Sequence, residues 1–306
     1  MSRAPPLQDL AVPALLALAL ACAHAGGASG PGAAAPSGAV ALAFAWPEGY
    51  QSHVLIAHES RRRGAEPTGL VARLRMVAER KGGEIWVSTR DLVARGDEPD
   101  LDTNVKVNEA LVQVVAPDGR FRRAEGLDQA LAALEASGST DRERARQALV
   151  RSTALDWELL VGAWAGQRLA PGDVHRKRVE AHVPHLALIA AALDVEYELE
   201  GRVPCAEEET DRRCVILSYR ARLAPEDRAR VLERLRAGAV TGPDQPVPED
   251  VHGEVDVLLV ADPETLVPRR MTQRERLRIR MRLPDGRVLE TEDRSEDTDL
   301  FSDREP

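Results

Sequence analysis

Alternation of apolar and polar residues predicts β-strands along most of the chain. The pattern is clearest at residues 70–78, where every second residue from Leu70 is apolar and Arg73 and Arg75 lie between. Successive side chains of a strand point to opposite faces, so such a segment buries one face and exposes the other. Gly82 and Gly83 then provide a turn into the next strand, which predicts a hairpin. Segments of the same kind occupy 84–93, 109–116, 120–126, 174–183, 186–203, 214–223, 253–262, 276–283 and 288–293.

Helical patterns are concentrated in the middle of the chain. Residues 127–137 are rich in Ala and Leu, and Thr140 followed by Glu143 has the pattern of a capping box at the start of a second helix, predicted to run to Gly166. A short third helix is predicted from Pro225, where Pro occupies the first turn.

Antiparallel hairpins with helices clustered between them favour one fold class. We predict an α+β fold with a curved, mostly antiparallel sheet and helices in the middle of the chain. Residues 40–295 are predicted to form a single domain.

The N-terminal segment has the pattern of a secretory signal. Leu10 to Ala21 carries no charge and is preceded by Arg3, but it is shorter than the roughly 20 residues that a transmembrane helix needs. We therefore expect residues 1–21 to be a signal peptide. Residues 23–39 consist of Ala, Gly, Pro and Ser apart from His24, so we expect 22–39 to be a flexible tether.

A single cysteine, Cys22, stands where the apolar run meets the tether. The stretch Ala19-Leu20-Ala21-Cys22 resembles the lipobox of bacterial lipoproteins, although the family usually has Leu at the position of Ala19. The resemblance implies acylation of Cys22, with palmitate among the expected acyl chains, and Ala23 implies an outer-membrane address facing the periplasm or the cell surface. Ordinary signal cleavage after Ala23 or Ala25 is the alternative, because both follow small-x-small patterns.

The two remaining cysteines, Cys205 and Cys214, are predicted to form a disulfide. Export to an oxidising compartment makes pairing the default, and a lipidated Cys22 leaves no thiol over. The residues between them are charged and lie between two strand-like segments, as in a hairpin loop joined at its base. Metal ligation or a redox role is the alternative, without the usual spacing or a nearby His.

Composition limits the classes of partner. The net charge is −9 with 30% charged residues, which argues against a nucleic-acid partner, and 3% aromatic residues are too few for a base-stacking platform. Acidic residues dominate after Glu290, so we predict an acidic disordered tail over 296–306.

No motif for a cofactor, a metal or catalysis emerges. Asp100, Asp102 and Asn104 imitate the start of a calcium loop, but Val105 and Leu111 stand where that loop needs Gly and Glu, so we expect a solvated loop. No phosphate-binding glycine loop or G-x-S-x-G elbow is present.

Pairs of aromatic and imidazole side chains are better explained by structure than by chemistry. Trp157 and Trp164 share a helix face and are expected to pack in the core. His182 and His185, like His53 and His58, have odd spacings that place them on opposite faces of a strand, which argues against metal binding.

Two functions of different class fit the sequence. The first is a lipid-anchored envelope protein of non-enzymatic type that binds a lipophilic ligand or an envelope protein and contacts the membrane through its N-terminal lipid. Over residues 40–295 the order of strands and helices resembles lipoprotein carriers of the LolA, LolB and LppX type, which hold acyl chains in a concave sheet; no binding residue is carried over. The second is an exported soluble hydrolase that uses a spatial constellation around one of six histidines, His53, His58, His175, His182, His185 and His252.

Overall fold

A computed structural model describes residues 38–62, 65–97, 100–138, 141–183, 186–205, 212–238 and 246–303. Thirteen strands are described: β1 (Val40–Ala41), β2 (Gln51–Arg62), β3 (Thr68–Lys81), β4 (Glu84–Gly96), β5 (Val112–Val115), β6 (Phe121–Glu125), β7 (Arg168–Leu169), β8 (Val174–Val183), β9 (Leu186–Pro204), β10 (Arg213–Leu223), β11 (Val247–Ala261), β12 (Pro268–Arg282) and β13 (Val288–Ser302). The helices are α1 (Leu101–Ala110), α2 (Leu127–Ala136), α3 (Arg142–Trp157) and α4 (Arg228–Gly238), with a π-helical turn at Glu158–Gly162 and a 3-10 turn at Pro225–Asp227.

Eleven strands form one large antiparallel sheet in the order β6-β5-β4-β3-β2-β13-β12-β11-β10-β9-β8. The two ends of this order do not pair with each other in the described part of the chain, so the sheet is open; β1 and β7 form a separate small ribbon. The predicted α+β class is therefore wrong. Strands take 56% of the described residues and helices 23%, and the few helices are not central. The prediction gave too much weight to local helical periodicity and too little to the number of paired strands.

Three further predictions are corrected. The predicted tail from residue 296 is strand as far as Ser302, because β13 pairs with β12 on one side and with β2 on the other. The predicted solvated loop at Asp100–Asn104 is instead the start of α1, with Asp100 as its N-cap, and α1 packs against β4 and α2. Helix α3 begins after Asp141, whose side chain accepts a hydrogen bond from the Arg144 amide at 3.0 Å. It was predicted to run to Gly166 but ends at Trp157, where the π-helical turn follows.

The inner face of the sheet forms the core. Alternate residues of the central strands are buried there against three fully buried tryptophans, Trp46, Trp157 and Trp164. The Trp46 and Trp157 rings pack edge to face with their centroids 5.4 Å apart, and the Trp157 indole donates to the Gly119 carbonyl at 2.6 Å. The predicted core role of Trp157 and Trp164 is thus confirmed. No described helix is long and apolar enough to span a membrane.

The outer face of the sheet carries charge in stripes. Strand β12 presents arginines at every second position except Thr272, and its neighbours β11 and β13 present mostly acids opposite them. Ion pairs join the strands, among them Arg276–Glu254 at 2.8 Å and Arg278–Glu292 at 3.0 Å. A slip of one residue would turn the arginines of β12 into the core, so this pattern specifies the register.

Candidate functional site

Polar side chains interrupt the apolar inner face along three neighbouring strands. His58 on β2 lies directly opposite Asp297 on β13, and Asp297 lies directly opposite Gln273 on β12. Asp299 follows two residues along β13, and Glu275 two residues along β12. Asp156, in the last turn of α3, interacts with the same carboxyls. We call Asp156, Glu275, Asp297 and Asp299, together with His58, the acid cluster.

The cluster is held by one short contact and by burial. His58 Nδ1 lies 2.6 Å from an Asp297 carboxylate oxygen, and the His58 side chain is only 6% exposed. Burial, with repulsion from Asp297, raises the pKa of Glu275 to about 8, although a hydrogen bond from Gln273 at 2.9 Å works in the opposite direction. Burial and the same neighbour raise the pKa of Asp299 to about 8.

Helix α3 supplies the fourth carboxyl. Burial, followed by repulsion from Asp299, Glu275 and Asp297, holds the pKa of Asp156 well above its usual range. Its neighbour Trp157 fixes the end of the helix in the core, and the π-helical turn follows at once. Such turns are frequent at functional sites.

The chemistry open to the acid cluster is proton exchange. Two carboxyls with pKa values of about 8 take up and release protons near neutral pH, whereas Asp297 accepts from His58 or pairs with it. Among the described residues, no group of His, Cys, Asp and Glu has a geometry that would hold a metal ion.

The uncovered outer face has a band without charge. Directly opposed residues on β3, β2, β13, β12 and β11 form one row across the sheet, and two leucines extend it in the next row. We call these residues the uncharged belt: Val71, Ala57, Thr298, Thr272, Leu258, Leu55 and Leu300. Its four large apolar members, Val71, Leu258, Leu55 and Leu300, are all exposed.

A groove of about 920 Å³ begins at this belt and continues over charged residues of the same face. Val71, Ala57 and Thr298 line its uncharged end. Consecutive residues such as Ala57, His58 and Glu59 also line it, so strand backbone forms part of its wall. Its charged residues include both arginines and acids. A second, smaller pocket of about 190 Å³ lies around Arg222, His252 and Arg278.

The alternation of charge fails at several places, among them Arg75 opposite Arg90 and Glu59 opposite Glu296, but inside this groove it fails over three neighbouring strands. Arg61 on β2 is directly opposite Arg294 on β13, and Arg294 is directly opposite Arg276 on β12. We call these three the arginine row. Like charges directly opposite each other destabilise a strand pair. The sheet therefore tolerates an unfavourable arrangement where the groove is open.

The predicted site residues have different outcomes. Cys22, with its predicted lipid, and the predicted signal peptide lie outside the described residues. Cys205 and Cys214 are joined by a disulfide across the hairpin of β9 and β10. His53 and His58 lie on opposite faces of β2, as their spacing predicts, and His185 is outside the described residues.

Sequence reasoning missed the acid cluster and the arginine row. His58 and Asp297 are 239 residues apart in sequence and meet only because the last strand of the sheet inserts beside β2. One usable signal existed, since polar residues interrupt the apolar positions of strand-like segments at Gln273, Glu275 and His58.

Comparison with known proteins adds little. No protein-family model matches the chain, and no curated protein matches it. Among solved structures, the chain is similar to the crystal structure of the hypothetical lipoprotein YmcC from Escherichia coli, with 9% identity over 82% of this chain and 85% of that chain at a TM-score of 0.29. A TM-score this low carries no argument about the fold or the function.

Proposed function

We propose that this protein is an exported, lipid-anchored envelope protein of non-enzymatic type that binds another envelope protein through the outer face of its sheet. Cys22 carries the lipid, residues 22–39 are the tether, and the anchor lies in the outer membrane. The observation that carries the binding function is the uncharged belt, an exposed row of apolar residues bordered by charged ones on a face that no described helix covers.

The make-up of this face matches that of a protein interface better than that of a lipid carrier. Protein interfaces have an apolar centre and a polar rim that excludes water. A carrier of acyl chains needs a cavity lined continuously by apolar side chains, whereas the groove beside the belt is lined largely by charged residues. A protein partner therefore fits the surface better than a lipophilic ligand.

Export is supported by the disulfide between Cys205 and Cys214. Disulfides persist in secreted and periplasmic proteins and are rare where thiols are kept reduced. Stable anchoring needs two or more acyl chains, which the lipoprotein modification supplies.

Replacement of Cys22 tests the anchor. We expect the wild-type protein in the membrane fraction with an acylated N-terminus at Cys22 by intact mass, and Cys22→Ser in the soluble fraction. The control is Cys205→Ser/Cys214→Ser, which also loses cysteines but should stay in the membrane. Wild-type protein that begins at His24 or Gly26 without a lipid would refute the anchor.

An exported hydrolase is the second candidate, and the His58–Asp297 contact is the observation that favours it. A general base oriented by a carboxylate is a common catalytic arrangement. The His58 side chain is only 6% exposed, however, and its ring sits among carboxyls. Labelling of the purified protein by a fluorophosphonate probe that is lost in His58→Gln would favour the hydrolase.

A further inference from the structure

We infer that the arginine row is the recognition site for an acidic segment of the partner, whose carboxylates lie in the groove against Arg61, Arg294 and Arg276. The inference rests on the proposed function and names the chemistry of the partner. It follows from the three directly opposed arginines on the outer face and from the ion pairs of the arginines around them.

Other arginines of this face, inside and outside the groove, have acids opposite them. Arg274 is opposite Glu296 and pairs with it at 3.1 Å, and Arg176 is opposite Glu196 and pairs with it at 2.7 Å. These pairs are exposed and contribute little to stability, but they leave each guanidinium satisfied.

Two arginines of the groove, Arg61 and Arg95, are less well satisfied. Among the described residues, no carboxylate lies within ion-pair distance of Arg61, or of Arg95, which lines the same groove. Arg294 and Arg276 share one acid, Glu292, at 2.5 and 3.4 Å, and Arg276 also contacts Glu254 at 2.8 Å. In the part of the chain that the structure describes, the three arginines of the row therefore have two carboxylates, Glu254 and Glu292, within ion-pair distance.

The spacing of the row suits several carboxylates rather than one. Directly opposed residues on neighbouring strands have Cβ atoms about 5 Å apart, so three guanidinium groups span roughly 10 Å. Guanidinium groups bind carboxylates through paired hydrogen bonds, and each of the three has five donors. A peptide with acids at alternate positions, about 7 Å apart in an extended chain, places more than one carboxylate within this span.

The rest of the groove also fits a peptide. Glu59 and Asp256 line it and supply acceptors for backbone or basic donors of the segment, and the uncharged belt receives its apolar side chains. Charge complementarity at such a surface sets the choice of partner and the rate of association.

Binding of a model peptide tests the inference on the purified chain without its lipid. The probe is a fluorescein-labelled Glu-Ala-Glu-Ala-Glu-Ala peptide, followed by fluorescence anisotropy. We expect saturable binding whose affinity falls at least tenfold in Arg61→Gln/Arg294→Gln. The affinity should also fall as salt rises from 50 to 500 mM, because salt screens the contacts between charges. The peptide with Gln in place of Glu should not bind.

The matched control is Arg270→Gln/Arg280→Gln. It removes the same charge from the same face, but neither residue lines the groove. This control should bind the Glu peptide as the wild type does, and the melting temperatures of both variants should match that of the wild type. Equal loss in both variants would show attraction to general charge and would overturn the inference.

Two other outcomes would also overturn it. Equal binding of the Gln peptide would exclude carboxylate recognition. Binding of phosphatidylglycerol vesicles that depends on Arg61 and Arg294, without binding of the Glu peptide, would assign the arginine row to a membrane surface. In either case the anchor at Cys22 would stand or fall by its own test.

Discussion

Two carboxyls, Glu275 and Asp299, make the stability of this protein depend on pH. Glu275 and Asp299 have pKa values of about 8, above the ordinary 4.5 and 3.8, because burial and the neighbouring Asp297 oppose their charge. A raised acid pKa means that folding favours the protonated form. Their contribution to stability is therefore complete below about pH 4 and is lost as the pH rises towards 8.

Replacement of both acids by amides should remove this dependence. We expect Glu275→Gln/Asp299→Asn to be more stable than the wild type at pH 8 by about 1–3 kcal/mol, and to differ little at pH 4. Urea unfolding at the two pH values measures the difference. Glu290→Gln, on the outer face of β13, is the control and should show no gain. The raised pKa values would be contradicted if the double variant lost stability relative to the wild type on going from pH 4 to pH 8.

At the scale of elements, the β9–β10 hairpin depends on its disulfide. The two cysteines are nine residues apart, and both are buried. A closed loop of this size stabilises the fold by about 2.5–3 kcal/mol in the chain-entropy model. We expect Cys205→Ser/Cys214→Ser to lose that amount in urea unfolding, and the wild type in reductant to lose the same. No change in either would show that the hairpin is fixed by strand pairing alone.

Local elements were predictable from sequence where turn chemistry and alternation agree. The β3–β4 hairpin is one case, because Gly82 and Gly83 adopt the positive φ values that its turn requires. Helix α1 was missed because its acidic, Asn-containing start has the composition of a loop, and its packing on β4 and α2 overrides that preference.

Pairings between distant strands could not be predicted. The acid density of β13 has the composition of a solvated tail, but it is the counterpart of the arginine density of β12, as in the Arg278–Glu292 pair. For the same reason neither the acid cluster nor the arginine row was accessible, since both require β13 to lie between β12 and β2.

At the scale of the whole molecule, the two faces of the sheet have different roles. The inner face packs against buried tryptophans and completes the core. The outer face carries exposed ion pairs, except at the uncharged belt, where Val71 is 53% exposed and Leu300 is 45% exposed. Scattered apolar residues on a surface are ordinary, but a contiguous row marks an interaction site.

Charge placed in the belt should therefore separate the protein from its partner. We expect the wild type, extracted gently from host membranes, to migrate on native gels as a complex larger than the protein alone. Val71→Glu/Leu300→Glu should shift at least tenfold towards the free form, because a buried unpaired charge at an interface centre costs several kcal/mol. Val288→Glu is the matched control, since Val288 is also 53% exposed on the outer face but lies at the far end of β13. Wild-type protein that migrates alone, or an equal shift in the control, would refute the belt as the interface. If the belt variant releases the partner but the arginine row does not bind the Glu peptide, the interface stands and only the chemistry of its partner changes.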